Sequence, residues 1–318
     1  MDAMALNGLV WVLGAVILVA LVLGGVAVVG GVRNIVPGAA SLAPEGWVAE
    51  ERTRLLAACL LGAIAAAASA VSGVRAGAWG WLFVAGSVGA VATLLAAVLL
   101  PVSPAEQSGG GRSGAGRPRW VKPGIAGALA VALVGGAAWF AAPSPEGGWG
   151  LPHRFVAAVH HRSSGEISVE YGSGYLRPWA GWPDAVVALV LVAAVLLLWV
   201  GLQRRMGTDA VIPDEGAAEE LTHQRVGIIE GVITGGLLAQ VGVTGFLLGS
   251  PLATLTDVDP VPTSEGIIAS VASQPHATVG VLLAIAGVVA LVLAITQLVF
   301  AMLGLARLGV FGRLVNSP

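Results

Sequence analysis

An all-α bundle that crosses a membrane seven times is the fold class this sequence predicts, and three observations carry it. Of 318 residues, 56% are hydrophobic and 11% are charged, where soluble domains carry about 25% charge. The apolar residues fall in blocks of about 20, the length a helix needs to cross about 30 Å of hydrocarbon. None of these blocks alternates polar and apolar residues, as the strands of a membrane barrel would.

The seven blocks run Leu6–Val32, Leu55–Val74, Gly77–Leu100, Gly124–Ala142, Ala185–Leu202, Val226–Ser250 and Ala277–Leu305. Met1 to Asn7 contains no Lys or Arg, and the first block far exceeds a signal-peptide core of about 7–15 residues, so it is expected to stay as a span. Arg75 and Ala76 alone separate the second and third blocks, which predicts a tight hairpin. The organisation follows: 1–101 as a first three-helix unit, 102–122 as a Gly/Ser/Arg linker, 123–142 as a connecting span, 143–184 as an extracytoplasmic loop, and 185–318 as a second three-helix unit. Within the long loop, His153–Arg162 is expected to form a short interfacial helix. Ile167–Tyr171 and Tyr175–Arg177 are expected to form a small hairpin around Gly172 and Gly174. A turn of helix is expected at Gly266–Ser273.

Orientation is read from the basic residues. With the N-terminus outside, 12 of the 16 Lys and Arg residues fall in cytoplasmic segments, leaving Arg75, Arg154, Arg162 and Arg177 outside. Positive charge is retained inside, so the C-terminus is expected in the cytoplasm and the chain in the plasma membrane.

A weak internal echo links Ala49-Glu50-Glu51-Arg52-Thr53 with Ala218-Glu219-Glu220-Leu221-Thr222, and Val71-Ser72-Gly73 with Val243-Thr244-Gly245. It is read either as a parallel 3+1+3 repeat or as coincidence in an Ala/Val/Gly-rich chain. The span arrangement is similar to that of the sugar transporters called SWEETs. None of their sequence motifs is present, and likeness of fold does not carry function.

The block Val226–Ser250 combines a spanning length with an acid and an amide. At about 100° per residue, Glu230 lies at 0°, Thr234 near 40°, Gln240 near 280° and Thr244 near 320°. All four share an arc of roughly 120°, and such a stripe is expected to face protein or water rather than lipid. Gln297 and Thr296 of span seven are candidate partners for it. Two readings of Glu230 stand: a functional carboxylate within the membrane, or an acid near the helix start that favours the dipole or reaches the headgroups. Gln240 is read as interhelical glue or as a solute contact. Thr234 and Thr244 can each bond back to their own helix. Gly231-x-x-x-Gly235 and Gly245-x-x-x-Gly249 signal close packing.

Other chemistry is thin. His160, His161, Glu166 and Glu170 supply metal-binding atom types, but their spacing matches no defined motif, and a solvated loop is the plainer expectation. Cys59 is the sole cysteine, so a disulfide within the chain is excluded. No phosphate loop, nucleophile elbow, pair of haem-clamping histidines or intramembrane lysine occurs. No polybasic arm points to nucleic acid. No cofactor is expected. The partners expected are the lipid bilayer and either a second copy or other membrane subunits. Three functions remain: a permease-like conduit for a small solute or ion lined by Glu230, Thr234, Gln240, Thr244 and Gln297; a non-catalytic subunit anchoring a partner complex; and a membrane enzyme working through the long loop.

Overall fold

Ala- and Leu-rich runs favour helix, and six helices form among the described residues. A computed structural model describes residues 47–75, 80–100, 121–140, 151–161, 167–176, 182–206, 215–253, 256–257, 271–272 and 275–315. The helices are α1 (Trp47–Arg75), α2 (Gly80–Leu99), α3 (Val121–Phe140), α4 (Trp182–Met206), α5 (Glu215–Ala253) and α6 (His276–Val315). Five of them, all but α2, are long and apolar enough to span a membrane; the apolar stretch described in α2, Val84–Leu99, is shorter. The expected first span, Leu6–Val32, lies outside the described residues, and with it the first member of the expected repeat.

The helices form two layers of three. In one layer α2 lies between α1 and α4; in the other α5 lies between α6 and α3. Across the layers α1 meets α6, α2 meets α5, and α4 meets α3. A middle helix has neighbours on three sides, so little of it is left for lipid. Accordingly 61% of the described span of α5 is buried, against 17–33% in the other four spanning helices.

Small residues set the spacing between neighbours. On α6, Gly280, Gly287, Ala294 and Ala301 recur every seven residues and meet Gly231, Gly235, Gly242, Gly245 and Gly249 of α5. A seven-residue seam is the signature of left-handed helix pairing. A Cβ on Gly287 would lie 2.5 Å from the Phe246 backbone nitrogen, so only glycine permits this approach. Between layers, a Cβ on Gly236 would lie 2.6 Å from the carbonyl oxygen of Gly86, and α2 and α5 cross there backbone to backbone. On α4 the buried residues Ala185, Ala188, Val192, Val195, Trp199 and Leu202 follow a 3-4 spacing, which is again a coiled-coil seam.

The apolar interior is in two parts. One cluster takes Ala90 and Leu94 of α2, Ala130 of α3, Val192 of α4 and Val241 of α5. The other takes Val84, Val134, Ala188 and Leu248 from the same four helices. On α3 and α4 the two clusters adjoin directly, at Leu133–Val134 and Leu191–Val192.

In the loop 143–184 a strand stands where a short helix was expected. Residues Leu151–His161 (β1) pair antiparallel with Ile167–Leu176 (β2), so the interfacial helix expected at His153–Arg162 is a strand. Gly172 and Gly174, expected in a turn, are paired with Phe155 and His153. Val, Phe and Tyr favour a pleated surface once a partner strand supplies cross-strand neighbours, and that partner is invisible to a local period. Likewise Val271–Ala272 (β4) is not helical but pairs with Thr256–Asp257 (β3), which lies against β1.

Candidate functional site

Glu230, Thr234, Gln240 and Thr244 are all buried, at 5%, 3%, 1% and 0% exposure. The stripe therefore faces the protein interior. Its side of α5 also carries the fully buried Ile233 and Leu237, so polar and apolar groups are interleaved along the line where α5 meets the rest of the bundle. From Glu230 to Thr244 the stripe spans about 21 Å of helix, most of a bilayer's hydrocarbon.

Glu230 sits near one end. Helix α5 begins at Glu215, so this carboxylate is four turns into the helix rather than in its first turn, and the dipole reading does not apply. Nor does the side chain reach out to the headgroups, being 7% exposed. Instead Lys122 reaches in: its Nζ lies 3.6 Å from Glu230 Oε1, and its own side chain is 62% exposed. Lys122 shares a face of α3 with Ala126, Ala130, Val134 and Ala137, which are all buried. Their four- and three-residue spacing turns that face inward. Small alanines let α3 come close enough for the ammonium to reach the carboxylate.

Gln240 finds a partner on α2: Ser87 Oγ donates to Gln240 Oε1, and both are buried. The Gly86–Gly236 crossing sets the distance, because it brings the two backbones together beside this pair. Gln240 Nε2 has no hydrogen-bond partner, and neither has Thr234 Oγ1 or Thr244 Oγ1. The contrast with other threonines is informative. Thr93 donates to Gly89 O at 2.9 Å and Thr296 to Val292 O at 2.8 Å, the ordinary back-bond onto their own helices. Thr234 and Thr244 do not make it.

Thr296 is thus engaged within α6, and Gln297 comes to α5 on another side. The Gln297 carbonyl oxygen lies 3.0 Å from where a Gly231 Cβ would be, about 100° around α5 from Glu230. For Gln240 the hydrogen-bond partner is Ser87 of α2.

At the same end as Glu230 lies a second charged group. Arg54 donates to both oxygens of Glu51 at 2.8 Å and to the carbonyl oxygen of Ala97 at 3.3 Å. Arg225 Nε lies 2.9 Å from Glu51 Oε1. All three side chains are buried. Both arginines were counted among the cytoplasmic basic residues by sequence, and they are buried because α1 and α5 continue as helix past their apolar blocks and pack there. Ala97 is within the last turn of α2, where carbonyls lack helical donors, so the Arg54 guanidinium also caps that helix.

Glu166 lies outside the described residues, and of His160, His161 and Glu170 only the backbone pairing is described, opposite Ser168, Ile167 and Ala158. Among the described residues no cluster of three metal-ligating side chains occurs.

Ser87 and Lys122 are the site residues that sequence reading missed. The signal for Lys122 was its place in the alanine face of α3. For Ser87 it was the run Gly86-Ser87-Val88-Gly89, where small residues invite a neighbouring helix. Comparison with protein-family models, curated proteins and solved structures finds no match. The molecule is a helical, membrane-embedded protein on the strength of its apolar helices.

Proposed function

We propose that the chain is a permease-like protein in which α5 carries a polar track for a small solute or ion between Glu230 and Thr244. One observation carries the reading: three buried polar atoms, Thr234 Oγ1, Gln240 Nε2 and Thr244 Oγ1, stand without partners along one side of the central helix. A buried polar group without a partner forfeits water's hydrogen bonds and gains none. A transient polar guest, or water accompanying it, satisfies such a row. Glu230 with Lys122 stands at the mouth. The positive-inside bias makes that mouth cytoplasmic, in a plasma-membrane protein with its N-terminus outside.

Water access tests the track. With Cys59→Ala as background, Thr234→Cys reacts with a small water-soluble thiol reagent in the membrane-embedded protein. In a flux assay Glu230→Gln and Gln240→Leu each slow passage severalfold at normal expression. A thiol at position 234 that stays inert until the protein is denatured retires the track and leaves the second role, a non-catalytic subunit that anchors partner proteins.

A further inference from the structure

We infer that Gln240 and Thr244, where the two apolar clusters adjoin, seat a small uncharged molecule able to accept and donate hydrogen bonds. The inference rests on the permease reading and names the class of substrate. On α2 Ser87 sits between Val84 and Ala90, beside Val88; on α5 Thr244 sits between Val241 and Leu248, beside Val243, with Gln240 next to Val241. Neutral polar side chains thus lie where the two clusters adjoin.

The bonding capacity left there is specific. Ser87 engages the amide oxygen of Gln240, and Nε2, with its two N–H donors, is left unmet. The Thr244 hydroxyl, one turn farther along the same side, is also unmet and both donates and accepts. A guest therefore finds donors at one position and a hydroxyl at the next, about 6 Å along the helix. A small alcohol, an amide such as urea, or water meets both.

Ions are poorly matched. Charge at this depth is costly without a counter-charge, and no described residue at this level is charged. Glu230 is ten residues from Gln240, about 15 Å along the helix, and already has Lys122 beside it. A cation would find neutral oxygens, the Thr244 hydroxyl and the remaining lone pair of the Gln240 amide, but no carboxylate. An anion would find donors but no positive group.

The test uses the full chain in phosphatidylcholine vesicles. Stopped-flow light scattering reads water efflux and the entry of glycerol and urea, and tracer uptake reads rubidium and chloride. At least one neutral probe is expected to pass faster than through protein-free vesicles. Gln240→Leu and the near-isosteric Thr244→Val should each slow it about fivefold, the worth of one hydrogen bond, and both variants should remain monodisperse in detergent. If rubidium or chloride passes and none of the neutral probes does, the seat is overturned while the track stands. Neutral flux indifferent to both substitutions overturns the seat alone. If nothing passes and the thiol at position 234 is also inert, the track and the seat fall together.

Discussion

Removing the Glu51 carboxylate leaves the buried guanidinium groups of Arg54 and Arg225 without the anion they share. Breaking one side of a buried ionic group costs about 3 kcal/mol, since the remaining charges stay desolvated. Glu51→Gln is therefore expected to lower stability by about that amount in equilibrium unfolding followed by circular dichroism. Arg52→Gln, next in sequence but exposed, should change it by less than about 0.5 kcal/mol. Ser87 and Gln240 provide a second residue-scale measurement. In a double-mutant cycle with Ser87→Ala and Gln240→Leu, the coupling is expected near 0.6 kcal/mol, the average for bonds between membrane helices; additive losses would mean that the two side chains do not interact. Sequence reading recognised Gln240 as needing a partner but sought it in span seven. A side chain's chemistry is local, whereas the identity of its partner depends on which helix lies alongside.

For the helices as units, α5 and α6 are held by close approach rather than by large side chains. Gly287→Ala places a Cβ 2.5 Å from Phe246 N and 2.7 Å from Gly242 O. Both are backbone atoms, so relief requires the helices to separate. A loss of about 1–3 kcal/mol is expected, seen as a lower unfolding midpoint in detergent. Gly135→Ala on α3 is the opposite case: nothing lies within 4 Å of the added carbon. Replacing glycine there gains helix propensity of up to about 1 kcal/mol, and the midpoint should hold or rise. The Gly-x-x-x-Gly spacings of α5 were legible in sequence, and all four glycines do pack against α6. What spacing could not show was the Gly86–Gly236 crossing, because neither glycine belongs to a repeating pair on its own helix. The β1–β2 ribbon was half legible: β2 reads as strand, whereas β1 has a composition that suits either form until its partner is known.

Across the whole molecule, the two-layer arrangement puts the ends of α1, α2, α3 and α5 that carry Glu51, Ala97, Lys122 and Arg225 on one side. That side holds most of the basic residues expected in the cytoplasm. In intact cells lacking Cys59, Ser168→Cys on the ribbon should be labelled by an impermeant thiol reagent, and a cysteine added after Pro318 only after permeabilisation. The reverse pattern would invert the orientation and make Glu230 the outer mouth of the track.

Length, hydropathy and helical period by themselves determined that this is a helical membrane protein, roughly where its described spans lie, and that Glu230, Thr234, Gln240 and Thr244 share one side of a helix. These properties depend only on the chain within a few turns. The tertiary structure alone decided that this side faces α2 and α3 instead of lipid, that Ser87 and Lys122 meet it, that Arg54 and Arg225 are buried around Glu51, and that two hydroxyls and an amide nitrogen are left unpaired. Burial and pairing are set by neighbours distant in sequence, and a polar side chain reads the same in a sequence whether water, lipid or another helix lies beside it.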